Sequence, residues 1–177
     1  DGGLTVTDVD SATLSSATVS FSANFVTGQD VLSFSSQNGI TGSWNAGTGV
    51  LTLSGSATVA QYQTALRSIT YTNTAENPST ATRTVSFVVN DGATDSNTGT
   101  RDITLTAAND APVVTTTGSA LAYTENDAAT AVDSSLTVTD VDSATLSSAT
   151  VSVSANYVTG QDVLSFADQN GITGSWN

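Results

Sequence analysis

Residues 4–45 of this chain recur at 136–177 with 38 of 42 positions identical, an offset of 132 residues. The four differences, Phe21 to Val153, Phe25 to Tyr157, Ser35 to Ala167 and Ser36 to Asp168, bring in no residue type that founds new chemistry. A period this long far exceeds the 20 to 50 residues of solenoid units, so each repeat is expected to be a whole domain in a string of domains. Asp1 aligns with Asp133 and Asn177 is the copy of Asn45, which places both chain ends inside a repeat. The break between repeats is expected at 107–113, AlaAlaAsnAspAlaProVal, where Pro112 holds Ala111 extended and makes a short, stiff joint. Residues 1–110 then read as one repeat lacking its first strands, and 111–177 as the N-terminal half of the next. More chain, or a neighbouring molecule, would complete that half.

Alternation with a period of two dominates the repeat. It runs through Leu4 and Val6, Val19 and Phe21, Leu32 and Phe34, Leu51 and Leu53, Ile69 and Tyr71, Val85 to Val89, and Ile103 and Leu105. Each run is short and bounded by Gly, Asn, Asp or Ser, with turns at Asn38–Gly39, Gly47–Gly49 and Asn90–Gly92. That spacing predicts an all-β antiparallel sandwich of about seven to nine strands per repeat. One segment departs from it: Val59, Tyr62 and Leu66 fall on one helical face, and Thr58 and Gln61 have capping-box spacing. One short helix per repeat is expected there, plugging one end of the sandwich.

The chain has 16 acidic residues against three Arg, with no Lys, His or Cys. Nucleic acid and anionic membrane are therefore excluded as natural partners, and cations are favoured. Without His, Cys or Lys the usual general bases, thiol nucleophiles and Schiff-base residues are missing, and zinc loses its preferred ligands. The acids cluster in turns rather than facing each other across a cleft, as glycoside hydrolysis would need. No enzyme is expected. No apolar run approaches 18 residues, so no membrane insertion is expected. Trp44 and its copy Trp176 could stack on a sugar ring, but with one Trp per repeat and no aromatic row, core packing is the stronger reading.

AspValAsp follows a strand-like LeuThrValThr twice, at Asp8 and Asp10 and at Asp140 and Asp142. Two carboxylates at i and i+2 in extended chain lie on one side, an arrangement that suits a hard cation such as calcium. Asn90 and Asp91 sit in a hairpin-like turn, Asn109 and Asp110 fill the joint, and Glu125 precedes Asn126 and Asp127. The order of GluAsn near the repeat start, a strand then AspXAsp, GlyThrGlyValLeuThrLeu at 47–53, a late strand ending AsnAspGly, and a closing AsnAspAlaPro resembles the cadherin-like repeats of large bacterial surface proteins. The resemblance covers the whole chain. It implies Ig-like or cadherin-like sandwiches with calcium at their junctions. Asp8, Asp10 and Asp91 would serve the end facing a preceding repeat, Asn109, Asp110, Asp140 and Asp142 the junction inside the chain, and Glu125 the following junction. The pattern departs at 53–56, where LeuSerGlySer replaces the family's acidic LeuAspArgGlu.

These features together predict a non-enzymatic extracellular stalk or filament segment of a bacterial surface protein, rigidified by calcium, whose partners are adjacent repeats of the same protein. Two alternatives remain open on the sequence. One is a fibre subunit that self-associates, its half-domain completed by strands of neighbouring molecules. The other is an accessory module that binds cell-surface or matrix glycans.

Overall fold

The structure, a computed structural model, describes residues 2–177. The chain divides into two units, one reaching to Asp142 and the other Ser143–Asn177. The first unit holds β1 (Thr13–Ala23), β2 (Asp30–Ser33), β3 (Thr41–Asn45), β4 (Val50–Thr58), α1 (Val59–Arg67), β5 (Thr70–Asn73), β6 (Arg83–Asn90), β7 (Gly99–Ile103), β8 (Val113–Thr115) and β9 (Thr137–Thr139). All strand pairs are antiparallel. A five-stranded sheet runs β3-β4-β1-β6-β7, β2 pairs with β5, and β8 pairs with β9. The all-β expectation holds, in a sandwich-like arrangement, with seven strands between residues 1 and 110.

The longest strand, β1, forms the middle of the large sheet, and the period of two decides which of its side chains are inside. Leu14, Ala17 and Val19 are buried. The register lines up Trp44, Leu51, Val19 and Phe87 across four strands, and beside them Gly42, Leu53, Ala17 and Val89. These rows form the inner face. A Cβ at Gly42 would lie 2.8 Å from the Phe34 ring, so the row narrows there to let Phe34 in. Leu32 and Tyr71, paired across β2 and β5, belong to the same core from the smaller sheet. Hydroxyl side chains take other positions, and Ser20 and Ser86 join Oγ to Oγ at 2.9 Å.

The expected helix forms at Val59–Arg67, with Thr58 as its N-cap and the predicted capping box complete. Gln61 N donates to Thr58 Oγ1 at 3.2 Å, and Thr58 N donates to Gln61 Oε1 at 2.9 Å. Such reciprocal bonds satisfy amides that the first turn leaves without intrahelical partners. Tyr62, Ala65 and Leu66 are buried, and the Tyr62 hydroxyl donates to the Gly55 carbonyl at 2.6 Å.

One expected strand run differs. Leu4 and Val6 form no ladder in the first copy and are tied to α1 instead. Arg67 Nε donates to the Leu4 carbonyl at 2.8 Å, and Val6 N donates to Gln63 Oε1 at 3.0 Å. The same LeuThrValThr in the second copy does pair, as β9 against β8.

The unit Ser143–Asn177 repeats the first copy's turns but forms no named strand. Its Val151, copy of the fully buried Val19, is 70% exposed, and Ile172, copy of the fully buried Ile40, is 60% exposed. Residues 46–110 supply β4 through β7 to the first copy, and among the described residues no such strands lie against these side chains.

Candidate functional site

The acidic residues singled out by the sequence gather in two places. At the first, the chain leaves Thr7 and turns at once into β1. Asp8 makes that turn by accepting from Asp10 N at 3.1 Å and Ser11 N at 2.7 Å on the same oxygen, Oδ1. Ser11 Oγ then donates to Asp91 Oδ2 at 3.2 Å, joining the turn to the loop after β6. Asp91 is fixed in the same manner, its Oδ1 accepting from Ala93 N at 2.8 Å and Thr94 N at 2.7 Å. Asp8, Ser11 and Asp91 are thus brought to one end of the sandwich, with Asp10 in the turn between them.

The electrostatics follow from these bonds. Amides of Ser11 and Asp10 hold the Asp8 carboxyl below the usual carboxylate range, against the opposing effects of desolvation and of the nearby Asp91 charge. Amides of Thr94 and Ala93 lower Asp91 likewise. A backbone N–H stabilises only the ionised form, so both groups carry full charge at neutral pH. The AspValAsp turn is therefore anionic, with one Asp8 oxygen turned inward onto its own backbone.

The second place is the joint. Asp110 N donates to Asp142 Oδ2 at 2.9 Å, and Asp142 N donates to Asp140 Oδ1 at 3.1 Å, a repeat of the Asp10–Asp8 bond. Asn109 Nδ2 donates to the Asp110 carbonyl at 2.6 Å. The structure thus links Asp110, Asp142 and Asp140 by hydrogen bonds, with Asn109 beside them in the chain. Glu125 stands apart: it is exposed, in a turn closed by Thr124 N donating to Asp127 Oδ2 at 3.0 Å.

Tested against calcium, these donors suit the ion in kind, being hard oxygens of carboxylates, an amide and backbone carbonyls. Among the described residues no group of three or more acidic side chains stands close enough to hold a metal by itself. A cation there would also have to draw on backbone oxygens and water.

Two features were not anticipated from the sequence. One is the bridging Ser11. The other is a polar cluster inside the sandwich, built on Asp30 and Arg83. Arg83 Nε lies 3.2 Å from Asp30 Oδ2, with both side chains inaccessible to solvent. Asp30 Oδ1 also accepts from Tyr71 Oη and Asn73 Nδ2, each at 2.7 Å, and Oδ2 accepts from Val26 N at 2.8 Å. Arg83 Nη1 donates to the Ala81 carbonyl at 2.7 Å. A signal was present: Arg83 falls in phase with the inward Val85, Phe87 and Val89, so strict alternation puts a charge inside and calls for a counter-ion. Trp44 packs edge-on against Phe21 and Phe25, each with ring centroids 6.3 Å away, in accord with a core role.

No protein family matches this sequence, and no solved structure matches it. It is 42% identical over 77 residues to halomucin of Haloquadratum walsbyi, a match that covers 41% of this chain and 1% of that protein. The chain therefore spans about a hundredth of the length of this curated relative. Among the described residues no helix is long and apolar enough to cross a membrane.

Proposed function

We propose that this chain is a stalk segment of a long extracellular surface protein, in which β-sandwich repeats set length and their acidic joints set stiffness. The observation that carries this reading is the clasp at the joint. Asp142, from the start of one repeat, accepts from the backbone of Asp110, at the end of the repeat before it, and Asp140 fixes the Asp142 turn. A repeat that recurs with 38 of 42 residues unchanged, its AspValAsp turn included, favours reach over catalysis. Likeness to 1% of halomucin supports placement in a very long protein.

The chain has no cysteine, so two labels can be placed without background. Ser35→Cys and Ser134→Cys, both exposed, would carry spin labels on either side of the joint. A stalk predicts a narrow distribution of label distances in calcium. A broad distribution with and without calcium would overturn the stalk reading.

Calcium is the finer part of the proposal. Asp8, Asp10 and Asp91 would hold it at one end, and Asn109, Asp110, Asp140 and Asp142 at the joint, where it would neutralise crowded carboxylates. Extracellular calcium modules bind at roughly 10⁻⁴ to 10⁻³ M, so about 10 mM calcium would stabilise the fold by roughly 1.4 to 2.7 kcal/mol per site. That corresponds to a rise of about 3–10 °C in Tm. Thermal melts in calcium and in excess chelator check it, and coincident curves would remove calcium while leaving the stalk standing.

A further inference from the structure

We propose that the outer edge of β3 is a docking edge for a second copy of this chain, which pairs its own β3 there antiparallel, Ser43 against Ser43. The inference stands apart from calcium and from the joint. It begins from a gap in the charge. The chain has a net charge of -13, yet residues 31–66, which hold β3, β4 and nearly all of α1, contain no Asp, Glu, Lys or Arg. β3 ends the five-stranded sheet with one strand neighbour, β4, and among the described residues no strand lies on its other side. The opposite edge of that sheet, β7, carries Arg101 and Asp102, both exposed. Charged side chains and Pro on an edge strand oppose pairing with a further strand, and β3 has neither.

The edge belongs to a complete part of the repeat. β3 and β4 form a hairpin, and β1, β6 and β7 follow β4 across the sheet. The segment that precedes a repeat goes elsewhere: β8 pairs with β9, the counterpart of residues 5–7, and residues 116–136 form no strand among the described residues. Thr41, Gly42, Ser43 and Asn45 are exposed, as are Thr52 and Ser54 beside them on β4. Backbone groups of alternate residues on an edge strand point away from its one neighbour. Such a row of unpaired N–H and C=O groups, set among hydroxyl and amide side chains, is a template for an incoming strand.

Self-complementarity names the occupant. With Ser43 on a two-fold axis, Gly42 of one copy faces Trp44 of the other, and Thr41 faces Asn45. Gly42 leaves the edge bare, and a Cβ there would lie 2.8 Å from the Phe34 ring. Trp44 is half-buried, held against Phe21 and Phe25. An aromatic side chain opposite a glycine covers it, which is a favourable cross-strand pair. Both positions lie on the inner rows of the sheet, so the pair extends the apolar face of each copy. Thr41 and Asn45 set a hydroxyl opposite an amide. Charge selects the same contact. Paired strands lie about 4.8 Å apart, inside the screening length of about 10 Å at 0.1 M salt, and two such acidic chains repel wherever their carboxylates face each other. The β3 edge brings two backbones together with no charged residue on β3 or β4. Both copies use the same surface, so the contact closes as a pair and joins two five-stranded sheets side by side.

The register makes the test specific. Since the chain has no cysteine, Ser43→Cys sets a single thiol on the axis, where facing Cα atoms suit a disulfide. Thr100→Cys, exposed on the charged edge strand β7, is the control. Each protein is oxidised gently in excess chelator, which keeps calcium from bridging the acidic chains. About ten-fold more disulfide-linked dimer is expected from Ser43→Cys, because only its edge lets two copies meet without facing charges. Equal yields would overturn the proposal. Sedimentation in the same buffer gives a second reading. The average mass of the unmodified chain is expected to rise with concentration. Ser43→Asp, which opposes two like charges on the axis, should weaken that association by about ten-fold or more, while Thr100→Asp, with the same net charge, should leave it unchanged. One monomeric species of the unmodified chain throughout, or association that Ser43→Asp leaves untouched, would overturn the proposal as well.

Discussion

Asp30→Ala is expected to destabilise the first repeat by about 3–5 kcal/mol, because it leaves the Arg83 charge buried without its partner. Asp30 is on β2, in the small sheet, and Arg83 opens β6, in the large one, so the pair ties the two layers together. With a folded state worth only about 5–15 kcal/mol in total, the loss is a large share. The pair also makes a pH prediction. Burial by itself raises the Asp30 carboxyl, but bonds from Tyr71, Asn73, Val26 and Arg83 outweigh it, and the net shift is downward from 3.8. Burial, followed by the bond to Asp30, pushes the Tyr71 hydroxyl up to about 12, so it stays protonated and donating across the physiological range.

A carboxyl whose folded pKa lies below its unfolded value contributes stability that is complete at neutral pH and is lost as pH falls through the folded pKa. Wild-type protein should therefore keep this contribution in full above the ordinary carboxyl value of 3.8 and lose it progressively as pH falls below that. Asp30→Asn should be less stable at pH 7 and should lose less on acidification. Replacing both partners, Asp30→Val with Arg83→Met, is expected to recover most of the single-mutant loss, since no charge remains buried. Urea denaturation of the four proteins at pH 7 and pH 3 checks this. An Asp30→Ala midpoint matching wild type would show that the pair does not clamp the sandwich.

The second large effect is expected at Gly55. Leu14 pairs with Ala57 and Ser16 pairs with Ser54, so two residues of β4 oppose the single Ser15 of β1. This is a β-bulge, and Gly55 takes φ +135 within it. Any Cβ at this position would overlap the Gly39 carbonyl oxygen, which belongs to backbone that cannot move aside alone. The Gly55 carbonyl, in turn, accepts from the buried Tyr62 hydroxyl. Gly55→Ala combines an unfavourable φ with a steric clash and is expected to cost about 2–6 kcal/mol. Gly28→Ala is the control, since Gly28 also has positive φ, at +81, but faces open space. It should cost about 1–2 kcal/mol, the conformational penalty alone. Chemical denaturation of both variants measures the difference, and equal losses would assign the whole effect to backbone strain.

Much of this was legible in the sequence. The capping box of Thr58 and Gln61 and the inward series on β1, β4 and β6 depend on neighbours or on a period, and both can be read from the chain. What was not legible depends on distant pairs. Ser11 reaches Asp91 across 80 positions, and Asp30 meets Arg83 across 53. Nothing local distinguishes Ser11 from the serines of β1.

The two copies separate the two kinds of information directly. Asn24 and Asn156 both take φ 57, and Gln37–Ile40 and Gln169–Ile172 both close a bridge. Val26 N donates to Asp30 Oδ2 at 2.8 Å, and Val158 N to Asp162 Oδ2 at 2.8 Å. These turns form in both copies because every bond they need comes from within about five residues. The strand Thr13–Ala23 has no counterpart strand at 145–155, although only Phe21 differs between the two segments. A strand's amides and carbonyls must be satisfied by another strand, and its apolar face by another layer. Residues 46–110 provide both to the first copy, so sequence alone determined the turns, the alternation and the helix cap, while tertiary partners decided which alternating segment became a buried strand.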